Sequence, residues 1–95
     1  MSGTLSGLQG WYARQCDGEW EHQCGITIET VDNPGWQVRI DLHGTALVGR
    51  AFERTERHSA EHDWSVCWVE AEQFHAACGA GNLSEVLDTF LGWAA

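Results

Sequence analysis

Apolar positions along the chain change period twice, and the changes divide it into elements. Between Thr4 and Cys16, Leu5, Leu8, Trp11, Tyr12 and Gln15 recur at spacings of three and four. That is the stripe of an amphipathic helix, with Thr4 or Ser2 as its N-cap. Gly7 and Gly10 each weaken such a helix by about 1 kcal/mol relative to Ala, so it depends on tertiary packing. Asp17-Gly18 ends it, because Gly accepts the left-handed backbone of a helix terminus. From Cys24 the period becomes two. Ile26, Ile28 and Thr30 share one face of a strand, and Thr27, Glu29 and Val31 share the other. Asn33-Pro34-Gly35-Trp36 suits a type II turn, with Pro34 second and Gly35 third. Trp36, Val38, Ile40 and Leu42 then alternate with Gln37, Arg39, Asp41 and His43, the pattern of a half-buried strand.

His43-Gly44 makes a tight connection into a third predicted strand, Thr45 to Arg57. There Leu47 and Phe52 differ in parity and share a face only through a bulge, placed at Gly49. The polar run His58 to Glu61 reads as a loop. His62 to Ala71 is the fourth strand, with Trp64, Val66 and Trp68 opposite Asp63, Ser65, Cys67 and Val69. The small, Gly-rich stretch Phe74 to Gly81 reads as a connector. Asn82 and Glu85 form a capping box for a last helix whose stripe is Leu83, Val86, Leu87, Phe90, Leu91 and Ala94. The expected fold is one α+β domain over residues 1–95: an N-terminal helix, a four-stranded antiparallel meander sheet, and a C-terminal helix packed on the sheet.

Composition narrows the function class. A chain of 95 residues has room for one core. Six Trp in a chain that is 43% apolar exclude a disordered acidic tail. Trp11, Trp36, Trp64, Trp68 and Trp93 lie on or beside apolar stripes and are expected in the core. Trp20 lies outside any stripe and is assigned to recognition. A formal charge of −9 removes the basic footprint that nucleic acid or an anionic membrane demands. It favours instead a basic protein partner, steered by charge. The four cysteines form no C-x-x-C pair. With neither a signal peptide nor a run of about 20 apolar residues, the expected compartment is the cytoplasm, with the thiols reduced and acting as small hydrophobes. The chain is expected as a monomer or a small homo-oligomer.

The densest polar and aromatic cluster is Asp17-Gly18-Glu19-Trp20-Glu21-His22, followed by Asp32-Asn33 and Asp41, with His62-Asp63-Trp64 as a second group. Two readings stand. In the first, Asp17, Glu19, Trp20, Glu21 and Asp32 form a partner-binding surface, Trp20 supplying contact area and the carboxylates specificity. In the second, Glu21, His22, Asp32, Asn33, Asp41 and Asp63 act as acid–base residues of a small enzyme or accessory protein working on a peptide. Asp32 and Asn33 also serve as plain turn residues. No zinc, facial-triad, P-loop or nucleophile-elbow spacing is present, so neither a metal nor a cofactor is assigned.

The strings Asp17-Gly-Glu-Trp-Glu-His22, Gly25-Ile-Thr-Ile-Glu-Thr30, Asp32-Asn-Pro-Gly-Trp36 and Ile40-Asp-Leu-His-Gly-Thr45 resemble the immunity protein 53 family of bacterial polymorphic-toxin systems. The likeness continues through Phe52, Asp63-Trp64, Phe74 and the helix from Asn82 to Trp93. It implies a cytoplasmic antidote that binds and neutralises a cognate toxin domain, with the Ala- and Gly-rich first helix and the Cys78 region as departures that bear on partner choice.

Overall fold

The computed structural model describes residues 3–95, so the alternative N-cap Ser2 lies outside the described residues. In chain order the elements are α1 (Thr4–Gln15), α2 (Trp20–Gln23), β1 (Ile26–Val31), β2 (Gly35–Asp41), β3 (Thr55–Ala60), β4 (Asp63–Glu70), β5 (Gln73–Cys78) and α3 (Leu83–Ala94). The class is α+β, with a helix at each end of the chain and an antiparallel sheet between. The sheet has five strands rather than four. Its order, β1-β2-β5-β4-β3, interrupts the expected meander, because β5 inserts between β2 and β4.

The corrections share one physical origin: packing, not local alternation, decides which segments become strands. Residues 45–49, expected as strand, form hydrogen-bonded turns, and 50–54 follow without regular structure. Thr45 N–H and Oγ1–H both donate to the Leu42 carbonyl, at 2.9 and 2.7 Å, and Arg50 N–H donates to Leu47 at 3.0 Å. These turns carry Leu47 and Phe52 to the core without any strand parity, so no bulge is needed at Gly49. The irregularity in the sheet lies instead between His58 and Ala60. The run His58 to Glu61, read as a loop, falls mostly in β3, an edge strand exposed along almost its whole length. An edge strand with no buried face carries no apolar alternation to read. The expected connector Phe74–Gly81 contains β5, whose inward residues Phe74, Ala76 and Cys78 are fully buried between two neighbours. Small residues there allow the two flanking strands and the helix above to close in.

One side of the sheet and the helices make the core. Val38, Ile40, Cys67, Phe74, Ala76 and Cys78 meet Val86, Leu87 and Phe90 of α3, while Leu8 and Trp11 of α1 close over the end. Phe90 is the hub, with ring centroids 5.0 Å from Trp11 and 5.1 Å from Phe74. Gly7, a liability to the isolated helix, has a packing reason: a Cβ there would sit 3.0 Å from the Leu91 side chain. The type II turn at Pro34-Gly35 is also corrected. Gly35 is the first residue of β2, paired with Val31, and a Cβ on it would collide with the Cys78 carbonyl oxygen. Gly44 does take the positive φ of +77° expected of its tight connection.

The opposite face of the sheet carries neither α1 nor α3. Trp64, Val66 and Trp68 stand on it, since Ser65, Cys67 and Val69 are the residues of β4 that pair across to inward Cys78, Ala76 and Phe74. Trp36 and Trp93 pack against the core and Trp11 lies within it, but Trp64 and Trp68 do not follow the expectation that they are core residues. Trp68 stacks on His75 with centroids 5.2 Å apart, and the Arg54 guanidinium lies 5.3 Å from its ring.

Candidate functional site

The antiparallel sheet has two ends, and the chemistry-bearing residues divide between them. At one end lie Gly25, Asp41 and Gln73 with α2 and the His43-Gly44 turn. At the other lie the Asp32–Pro34 turn, Asp63 and the loop leading to Asn82. The length of β1 separates the two by about 20 Å.

The first end is built around a loop held by two carboxylates. Asp17 Oδ1 accepts the amides of Glu19 and Trp20, at 2.9 and 3.0 Å. Glu21 accepts those of Asp17 and Gly18, both at 2.9 Å. Asp17 therefore closes the turn that leads into the short helix α2, whose N-cap Glu19 makes no side-chain cap of its own. Hydrogen bonds from the Trp20 and Glu19 amides hold the Asp17 carboxyl below its usual range, and those from the amides of Glu21 itself, Asp17 and Gly18 do the same for Glu21. Both residues keep the loop charged and folded at neutral pH.

Trp20, assigned to recognition from sequence, is buried at 7% exposure. Its indole N–H donates to the His43 carbonyl at 2.8 Å, and its ring meets Trp11 and Tyr12 edge-on, both with centroids 6.0 Å away. Helix α2 had no periodic signal because a single turn presents only one inward side chain. Trp20 is that side chain, and it anchors the loop rather than a partner. Beside it, Asp17, Glu19, His22, Gln23 and His43 line a concavity of about 410 Å³. Glu19 and His22 are exposed on its rim, and His43 Nδ1 lies 3.0 Å from the Glu72 carboxylate.

Asp41 closes the neighbouring strand end. Its Oδ2 accepts the Gly25 amide at 2.9 Å and its Oδ1 accepts the Gln73 side-chain amide at 2.7 Å. Asp32 and Asn33 are exposed in the turn at the far end. Asp63 is also far, in a network that sequence reasoning did not assemble. Arg57 donates to both oxygens of Glu85, at 2.6 and 2.9 Å, and to Asp63 at 2.7 Å. Ser65 Oγ–H donates to Glu85 at 2.7 Å, while the Asn82 side-chain amide donates to Asp63 at 2.9 Å and to Glu85 at 3.1 Å. The expected capping box is thus replaced: Asn82 and Glu85 meet side chain to side chain, and Asn82 makes no side-chain cap. Charge-assisted bonds from Arg57, then from Ser65 and Asn82, pull the Glu85 carboxyl down to about 2. Arg57 carried no readable signal, since it projects from an edge strand and its partners lie up to 28 positions away in sequence.

The six residues considered for acid–base work therefore do not meet in one place. Glu21, His22 and Asp41 lie at one end, and Asp32, Asn33 and Asp63 at the other. Among the described residues, no three His, Cys, Asp or Glu side chains are grouped to hold a metal ion. Among the same described residues, no helix is long and apolar enough to cross a membrane. The arrangement offers an acid-rimmed concavity on a fixed loop at one end and a closed ion-pair network at the other.

No curated protein and no solved structure matches the chain significantly. The description of the immunity protein 53 family does match, over residues 5–95, from the first turn of α1 to the end of α3. The chain, spanned almost entirely by that match, belongs to the immunity protein 53 family.

Proposed function

We propose that the protein binds a cognate toxin domain in the cytoplasm and neutralises it by stoichiometric occlusion. Membership of an immunity family over nearly the whole chain carries this reading. The contact surface is the α2 end of the sheet. There a rigid loop presents Glu19, Asp17 and the rim of the concavity, and the net charge of −9 draws in a basic partner. Trp20 supports this surface from beneath. Asp32 joins the contact where an interface of ordinary size, about 800 Å² per partner, reaches the far end of the sheet.

The test is co-expression with the toxin domain encoded beside the gene, scoring survival and co-purification together, followed by Glu19→Lys. Glu19 is the clean choice because Asp17 and Glu21 also hold the loop. The expected result is rescue with a one-to-one complex, and an association rate for the variant lower by about tenfold at low salt, with the gap closing as salt rises. Rescue with an unchanged rate moves the contact surface elsewhere. Failure of both rescue and co-purification, with the protein folded, removes the immunity reading.

A further inference from the structure

The two edges of the sheet are unlike. Edge strand β3 is protected in the ways soluble proteins commonly use: it bears Glu56, Arg57 and His58 and is broken by an irregularity before Ala60. Edge strand β1, Ile26-Thr-Ile-Glu-Thr-Val31, has no Pro, no Lys and no break in register, and Glu29 is its one charge. It is rich in β-branched residues, which favour extended pairing.

The hydrogen-bond phase of β1 shows which groups are free. Asp41 N–H donates to the Gly25 carbonyl at 3.0 Å, so Gly25 and Asp41 are a bonded pair. With Ile26 opposite Ile40, bonded pairs alternate along the ladder. Thr27, Glu29 and Val31 therefore direct their main-chain groups at β2. Ile26, Ile28 and Thr30 direct theirs away from the sheet. The side chains of Ile26 and Ile28 reach the core only in part and remain half-buried at its margin.

We propose that β1 pairs with β1 of a second copy of this chain, antiparallel and centred on Ile28, joining the two sheets into one. Centring on Ile28 sets Ile28 against Ile28 and Ile26 against Thr30 of the second copy, so every outward amide and carbonyl of these residues meets its complement. A shift of one residue would oppose these outward-directed residues with Thr27, Glu29 and Val31, whose main-chain groups are already bonded to β2, and is excluded. Of the neighbouring allowed registers, centring on Glu29 opposes Glu29 with itself, and centring on Thr27 leaves Thr30 reaching past the start of the strand. In the Ile28 register Glu29 lies opposite Thr27, and the half-buried isoleucines of the two copies extend one apolar strip beneath the joined edge. The charge of −9 on each copy opposes the association at long range, so the dimer strengthens as salt screens it.

The experiment is sedimentation of the isolated chain over a dilution series, with amide exchange on the same samples. The expected result is a species of twice the 10.6 kDa chain mass, with the Ile26, Ile28 and Thr30 amides protected only where that species is populated. Thr27 is exposed and meets Glu29 twice per dimer, so Thr27→Glu is expected to weaken the dimer and Thr27→Lys to tighten it, each by roughly threefold to tenfold. A chain that stays monomeric at every concentration and salt overturns the proposal, including the case in which a toxin strand takes this edge instead. A dimer indifferent to both substitutions, or moved in the same direction by both, also overturns it.

Discussion

Replacing Glu85 by Gln tests how the far end of the sheet is held. The amide keeps the shape of the side chain but turns an NH2 toward a site where Arg57, Ser65 and Asn82 all offer donors. The carboxyl titrates near 2 in the folded chain against an ordinary 4.5, a difference corresponding to about 3.4 kcal/mol if fully expressed. Glu85 is 36% exposed in its side chain, so water screens the network, and about 1–2 kcal/mol is the expected contribution. The folded carboxyl is the stronger acid, so this stabilisation is whole above about pH 5 and is lost as the pH falls from 4.5 toward 2. Urea denaturation of wild type and Glu85→Gln from pH 7 to pH 2.5 measures it. The two stability curves are expected to lie about 1–2 kcal/mol apart at neutral pH and to converge in acid. Curves that run parallel throughout, or that coincide at pH 7, refute the argument.

Trp20→Ala is expected to cost about 3–5 kcal/mol of stability, because it removes a buried ring and the donor to the His43 carbonyl; a loss below about 1 kcal/mol in chemical denaturation would sink the anchoring role. The β4–β5 hairpin turns through Ala71 and Glu72, both at positive φ, 54° and 59°, where Asn and Gly are the favoured pair. The double change Ala71→Asn with Glu72→Gly is expected to raise stability by about 1 kcal/mol, after a small loss from the exposed His43–Glu72 contact. Unchanged or lower stability in urea argues against strain at that turn.

How much was legible depended on whether a segment buries one face. The helix from Leu83, β1, β2 and β4 were readable because each sets apolar side chains at a fixed period against a single layer. The residue types of the α2 loop were legible as polar and aromatic, but their roles were not. Asp17 and Glu21 bond the loop amides, and Trp20 goes inward because the turn before α2 aims it at Trp11. Candidates that looked like one group, Glu21 and Asp63 for instance, belong to opposite ends of the strands.

By itself the sequence determined the α+β class, both long helices, three of the strands, the acidic character and the family, since each is encoded by local period, net charge or a contiguous string. Only the tertiary structure decided that Phe74–Cys78 is a central strand and Thr55–Ala60 an edge. The first does alternate in burial, but its small residues Ala76, Ala77 and Cys78 hide that period in the sequence, and the second buries neither face and so has no apolar alternation to read. The structure alone also decided which side of β4 faces the helices. Both of its faces carry apolar residues, and only the inward neighbours Ala76 and Phe74, brought beside it by the β4–β5 hairpin, select Cys67 and Val69 over Trp64 and Trp68.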